Sequence, residues 1–373
     1  MIVDDSAVVR GLIARAVDGH PLMQVAASAA NGEIAVKTLE VTPVDVIILD
    51  IEMPVMDGLT ALPKLLAIDP AVKVIVASTL SLKNAAISMK ALELGATDYM
   101  PKPSSTRELT TARDFKDELI EKVLALAIAA RKAGVRRADP ATLPPKPQVA
   151  VSAPAPIAKV ASLPVRPPPE ARGKINLRPM PLQRPHIVAI GSSTGGPQAL
   201  MRVIKDIGTI SQPVIITQHM PPNFTTIMAQ SIAKECGVTC VEAQDGMACE
   251  AGIYYVAPGD YHMLVQNRSG KTILTINRDP PENFCRPAVD PMLRSAVAVY
   301  GQRILVVILT GMGQDGCLGG TKVVEAGGAV IAQDEATSVV WGMPGAAAHA
   351  GICSAVLPVG DIGRCVRKIV GAT

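Results

Sequence analysis

Along the first 133 residues, short aliphatic runs alternate with stretches whose apolar positions recur at helical spacing. The runs are Ile2-Val3, Met23 to Ala27, Val44 to Leu49, Val72 to Ala77 and Thr97 to Met100. Between them Ala7 to Val17, Leu59 to Ile68 and Ala85 to Leu94 read as amphipathic helices, and a longer helix over about Glu108 to Ala133 closes the segment. Such alternation predicts an α/β unit, a doubly wound five-stranded parallel sheet with helices on both faces. From 134 to 185 the periodicity fails, and about a dozen prolines mark a Pro-rich linker. A flexible chain of that length spans roughly 40 Å, so the flanking units meet at high effective concentration. Arg166, Arg172, Arg178 and Arg184 leave a docking peptide open as the other reading of this stretch.

A second α/β pattern fills residues 186–373. Ile187 to Ile190, Val214 to Thr217, Ile304 to Leu309 and Ala329 to Ala332 read as strands, with helices over Gln198 to Ile207 and Phe224 to Lys234. A hairpin is predicted from Tyr254 to Val256 through Met263 to Gln266, a turn at Asn267-Arg268-Ser269-Gly270, and Thr272 to Ile276. The expectation is a mostly parallel sheet with an antiparallel hairpin.

Composition narrows the function. With 49% hydrophobic but only 2% aromatic residues, the cores must be aliphatic, as parallel strands covered by helices require. A net charge of +3 and scarce stacking aromatics argue against nucleic acid. No apolar run is long enough to span a bilayer and no signal peptide opens the chain, so the expected location is the cytoplasm, without membrane insertion. The seven cysteines all follow residue 235, form no CxxC pair, and read most simply as small buried hydrophobes.

Two sets of residues carry chemistry. Asp4-Asp5 ends the first strand and Asp50 the third, where carboxyl ends of neighbouring strands converge. Three carboxylates there repel one another unless a hard cation such as Mg²⁺ sits among them, and Asp50 can then take a phosphoryl group. Ser78 and Lys102, at the next two strand ends, supply a hydroxyl and a cation for phosphate oxygens. Taken singly, such aspartates could equally cap the following helices.

In the second unit, Gly191-Ser192-Ser193-Thr194-Gly195 fits G-x-S-x-G between a strand and a helix, exposing the Ser193 hydroxyl beside the Thr194 N–H. A phosphate-binding loop is the competing reading, although the spacing matches neither common phosphate motif. His219 directly follows a core strand and can act as base, or be a packed loop histidine. Asp315, in the loop after the most apolar strand, can orient that histidine or simply cap a helix. Cys317 is the rival nucleophile but lies in the helix beyond the loop.

VDDSAVVR, LDIEMPVMDGL, VASTL and DYMPKP resemble the motifs of response-regulator receiver domains, which have a flavodoxin-like fold. That resemblance implies phosphotransfer from a sensor histidine kinase to Asp50, Mg²⁺ held by Asp5, Asp50 and the Glu52 carbonyl with Asp4 assisting, and a Ser78 that moves on activation. Only Ile2 and Val3 precede the acidic pair after Met1, shorter than is usual there. The expectation is a start further upstream or a weakened first strand. AIGSSTGGPQAL, ITQHMP, VAPGDYHM, LTGMGQDG and AQDEATSVVWGMP resemble the methylesterase domain of the CheB family. This second resemblance implies hydrolysis of glutamate methyl esters on chemoreceptor helices, releasing methanol, and deamidation of receptor glutamines, with no cofactor for that half. It assigns Ser193 as nucleophile, His219 as general base, Asp315 as its orienter, and the Thr194 and Met312 amides as the oxyanion hole. It also implies that the unphosphorylated receiver packs over the esterase rim. A transcriptional regulator and an adaptor with a dead esterase fold are the alternative readings.

Overall fold

The structure is a computed structural model that describes residues 1–79, 81–102, 113–132 and 175–371. The first unit runs β1 (Ile2–Val3), α1 (Ala7–Asp18), β2 (Ser28–Ala29), α2 (Gly32–Val41), β3 (Val46–Asp50), α3 (Gly58–Ile68), β4 (Lys73–Ser78), α4 (Leu82–Glu93), β5 (Asp98–Pro101) and α5 (Arg113–Lys132). All strand pairs are parallel, in the order β2-β1-β3-β4-β5. Side chains one residue before each of α1 to α4 accept an orphan amide: Ser6 from Val9, Asn31 from Ile34, Asp57 from Thr60 and Ser81 from Asn84. The strand order reverses at β1, which opens a crevice between the ends of β1 and β3.

The second unit runs β6 (Ile187–Ser192), α6 (Gly196–Ile207), β7 (Val214–Gln218), α7 (Phe224–Cys236), β8 (Thr239–Glu242), β9 (Ile253–Val256), β10 (His262–Arg268), β11 (Lys271–Asn277), α8 (Val289–Tyr300), β12 (Ile304–Ile308), α9 (Cys317–Glu325), β13 (Ala329–Gln333), α10 (Met343–His349), β14 (Ala355–Leu357) and α11 (Val359–Val370). Seven strands form one parallel sheet in the order β14-β13-β12-β6-β7-β9-β8, and β10 and β11 form a separate antiparallel hairpin. The residues of β6, β7, β12 and β13 are buried throughout, as strands covered on both faces must be. Winding reverses between β6 and β12, so the loops after these two strands face each other across the sheet's ligand-binding edge.

Several expected elements are corrected. Met23 to Ala27 is not a strand. β1 offers ladder partners at Ile2 and Val3 alone, so pairing is confined to Ser28–Ala29, with Ala27 adding one carbonyl to Ile2 N–H at 3.1 Å. Tyr254 to Val256 does not open the hairpin but lies parallel between β7 and β8. Both tyrosine rings are buried there because their hydroxyls reach the Gly208 and Ala248 carbonyls at 2.6 and 2.8 Å. The hairpin runs on to Arg268 and Lys271, leaving Ser269 and Gly270 as a turn with both φ positive. Of the expected linker, residues 134–174 lie outside the described residues, as do 108–112 and 133 of the long helix. The chain from Arg178 already rests on the second unit, its amide donating to the Cys353 carbonyl at 2.9 Å.

Candidate active site

In the first crevice, Asp4, Asp5 and Asp50 place carboxylate oxygens within 4.8 Å of one another. Asp4 and Asp50 are buried and Asp5 is exposed. This all-oxygen donor set, open on one side, fits a hard divalent cation. Lys102 Nζ lies 2.7 Å from both Asp4 and Asp50. Burial raises the Asp50 pKa, opposed by Lys102 and reinforced by the Asp4 charge. Ser78 ends β4 with its hydroxyl 2.7 Å from Ser88 Oγ, and its carbonyl accepts from Lys102 N–H at 2.7 Å. The Glu52 amide donates to Asp50 Oδ1 at 3.3 Å, while its side chain turns outward to Lys83.

At the rim of the second sheet, Ser193 follows β6, His219 follows β7 and Asp315 lies in the loop after β12. The turn carrying Ser193 depends on two glycines. Gly195 has φ +74°, which a β-carbon would strain. A β-carbon on Gly311 would fall 2.9 Å from Ser193 Cβ and 2.4 Å from Met343 Sδ, so only glycine lets the two loops approach. Ser193 N–H donates to the Thr310 carbonyl at 3.0 Å, fixing the serine against that loop. Among the described residues no hydrogen bond joins the Thr194 or Met312 amide to a protein acceptor.

His219 Nε2 lies 2.8 Å from Asp315 Oδ2. Its Nδ1 is 3.2 Å from Cys285 Sγ, and among the described residues no hydrogen bond joins it to Ser193. The structure therefore brings His219 and Asp315 into contact and leaves Ser193 on the neighbouring strand end without that bond. Burial disfavours the imidazolium, but the Cys285 sulfur and the Asp315 carboxylate outweigh it and raise His219 to about 10. Asp315 is buried, yet His219 and the Val289 and Asp290 amides hold its pKa below the ordinary value. Cys317 Sγ points instead to the Ala346 carbonyl, and burial raises its pKa.

Four residues of this network were not singled out from the sequence. Asn283 Nδ2 donates to Asp315 Oδ1 at 3.0 Å and to Asp290 Oδ2 at 3.1 Å. Asp290 Oδ1 accepts from the Gly316 and Gly319 amides, fixing the loop that presents Asp315. Burial and the Asp315 charge raise Asp290 to about 6. Gln218 Nε2 donates to the Ser193 and His219 carbonyls at 2.9 and 3.2 Å, tying the two loops together. Cys285 is the fourth. The one available signal was the polar pair Glu282-Asn283 ahead of an apolar helix with Asp290 in its first turn, and it has no motif of its own.

Comparison with known proteins decides the family. Residues 188–366 match the CheB methylesterase family and residues 1–114 the response regulator receiver domain. The chain is 57% identical over 370 residues to the protein-glutamate methylesterase/protein-glutamine glutaminase of group 2 operon of Rhodospirillum centenum, spanning 99% of this chain and 93% of that one. A Paramagnetospirillum magneticum protein-glutamate methylesterase/protein-glutamine glutaminase 1 is 56% identical, spanning 99% and 95%. The crystal structure of the Thermotoga maritima CheB methylesterase catalytic domain is 39% identical over 50% of this chain and 100% of that one, with a TM-score of 0.49. The chain belongs to the CheB methylesterase family.

The receiver of this CheB-family chain meets the esterase rim directly. α4 packs on α6 and α7. Tyr99 of β5 stacks on Phe224 of α7, with ring centroids 4.6 Å apart. Thr194, next to Ser193, donates its hydroxyl to the buried Asp98 carboxylate of β5 at 2.9 Å. Lys122 Nζ stands 3.4 Å from the same carboxylate and donates to the Tyr99 carbonyl at 2.9 Å. Gln198 Nε2 reaches the Ala96 carbonyl at 2.5 Å. The Asp98–Thr194 bond was beyond sequence reasoning, because its partners lie 96 residues apart in different units.

Proposed function

We propose that this chain is a protein-glutamate methylesterase and protein-glutamine glutaminase of chemotactic adaptation, governed by its receiver domain. The carrying observation is full-length identity of 57% to a protein of that name, 99% of this chain being spanned. The natural division is a receiver over residues 1–133, a linker over 134–185 and a catalytic domain over 186–373. The substrates are methyl-accepting chemoreceptors, and the phosphodonor is a sensor histidine kinase. No helix of the described residues is long and apolar enough to cross a membrane, in keeping with a cytoplasmic location.

Chemistry follows from the rim geometry. Asp315 engages Nε2, so Nδ1 is the nitrogen left to take the Ser193 proton. Ser193 Oγ attacks the ester carbonyl, and the resulting oxyanion accepts from the Thr194 and Met312 amides. His219 then protonates departing methanol, or ammonia from glutamine, and water hydrolyses the acyl-enzyme by the same route. In the resting arrangement Cys285 faces Nδ1, and an imidazole raised to about 10 holds its proton at neutral pH. Opening of the site must release that contact.

Phosphorylation controls the opening. Asp50 attacks the phosphoryl group of the kinase's phosphohistidine, the new P–O bond forming as the P–N bond to the histidine breaks, and Ser78 and Lys102 receive the phosphoryl oxygens. Asp5, Asp50 and the Glu52 carbonyl would hold Mg²⁺, with Asp4 assisting, and the ion would supply charge neutralisation. Lys102 directly follows β5, the strand that carries Asp98 and Tyr99. A phosphoryl group that draws Lys102 thereby shifts the strand that grips Thr194.

This coupling gives a sharp expectation. A hydrogen bond to a charged acceptor contributes about 1.5–3 kcal/mol, so its loss moves a closed–open balance by tenfold or more. Asp98→Ala should therefore raise methanol release without phosphodonor by about tenfold. An unchanged or lower unstimulated rate would remove Asp98 from the closing contact. The function itself is tested by methanol release from methylated receptor membranes.

A further inference from the structure

Phe284 is one of three phenylalanines in the chain and is fully exposed. It sits at the tip of a turn closed by paired backbone bonds, Glu282 N–H to the Cys285 carbonyl at 3.1 Å and Cys285 N–H to the Glu282 carbonyl at 2.9 Å. Asn283 and Phe284 are its central residues, with φ of +51° and +63°. Turns with both central φ positive favour asparagine followed by glycine. Asparagine is in place, but the glycine position holds a bulky aromatic residue in backbone conformation it rarely adopts.

Such strain persists only where surrounding contacts enforce it, and these contacts are specific. Asn283 is bound to Asp315 and Asp290, Cys285 faces His219 Nδ1, and Glu282 forms a two-point pair with Arg294. The residues on either side of Phe284 thus touch the two members of the histidine–aspartate pair. An exposed aromatic ring gains nothing for the folded chain by itself. It is instead held at a fixed place on the rim of the catalytic site.

We propose that Phe284 is a specificity-determining residue that packs on the helix carrying the scissile glutamate ester, a reading that rests on the function proposed above. On a helix, side chains three or four residues from the esterified glutamate share its face about 5–6 Å away. An aliphatic side chain at one of those positions would give a planar apolar ring a surface to cover. A large, rigid aromatic supplies such an anchor with little loss of conformational freedom. The ring thereby favours a glutamate ester displayed on an α-helix over the same ester free in solution.

The test compares methanol release from methylated receptor membranes with hydrolysis of p-nitrophenyl acetate, using the full chain with Mg²⁺ and a small phosphodonor. Phe284→Ala and Phe284→Asn should lower the receptor rate relative to the small-ester rate by about tenfold, while Phe284→Leu retains most of it. Phe284→Asn, which suits the left-handed backbone, should have a Tm equal to or above that of the wild type. An unchanged ratio would overturn the proposal. So would a parallel fall of both rates with a lowered Tm, which marks a structural role. Wild type that hydrolyses the small ester but releases no methanol from receptors would overturn the substrate class beneath it.

Discussion

Ser193→Ala should abolish methanol release while leaving the fold intact. When members of a triad act as a unit, loss of the nucleophile alone costs roughly a millionfold in kcat, about 8 kcal/mol of transition-state stabilisation. The substitution removes one hydroxyl that among the described residues bonds to no protein group, at the end of a strand whose backbone contacts survive. A change of that kind typically shifts stability by less than about 0.5 kcal/mol. The expected result is therefore a protein with wild-type Tm and no measurable turnover above the uncatalysed background. Turnover within tenfold of wild type would take the nucleophile role from Ser193 and reopen the adaptor reading of this fold.

The second large effect concerns Asp315→Asn. Removing the charge that sets the histidine tautomer costs about ten-thousandfold in a serine triad. Here the replacement also disturbs packing, because both carboxylate oxygens are engaged as acceptors. Oδ2 receives Val289 N–H at 2.6 Å and faces His219, while Oδ1 receives Asp290 N–H, Gly316 N–H and Asn283 Nδ2 at 3.0 Å each. Either orientation of an asparagine amide sets a donor against a donor, so Tm should fall as well as kcat.

The same variant changes how stability depends on pH. His219 in the folded state titrates at about 10, above its ordinary value of 6.5, so its stabilising contribution is complete below pH 6.5 and lost as pH rises through about 10. Without the Asp315 charge that contribution shrinks, and the Tm should vary less between pH 6.5 and 10 than in the wild type. Thermal melts across that window check it. An identical pH slope in both proteins would mean that Asp315 does not hold the imidazolium.

What the sequence made legible was set by local pattern. Four of the five aliphatic runs coincide with strands of the first sheet, since buried parallel strands have to read that way, whereas Met23 to Ala27 only leads into β2. Asp50, Ser78, Lys102, Ser193, His219 and Asp315 could be named as candidates because each ends or follows a strand, and in a parallel sheet strand ends gather at one edge. Tyr254 and Tyr255 misled because a short aromatic run so close to the hairpin reads as part of it, and their burial in a parallel strand depends on the Gly208 and Ala248 carbonyls that accept from their hydroxyls. Asn283 and Cys285 lie in a turn with no periodicity, and their roles arise from bonds to residues 32 and 66 positions away. Asp98 looked like an ordinary strand residue. Its meaning depends on which surface of the second unit it meets.

The most direct measurement is methanol released from methylated receptor membranes by wild type and by Asp50→Ala, each with and without Mg²⁺ and a small phosphodonor. The expected result is release by wild type that rises with phosphodonor, and a low rate from Asp50→Ala that does not respond. Stimulation of Asp50→Ala to the wild-type level, or no release by wild type under either condition, would contradict a receiver-controlled esterase acting on receptor glutamates.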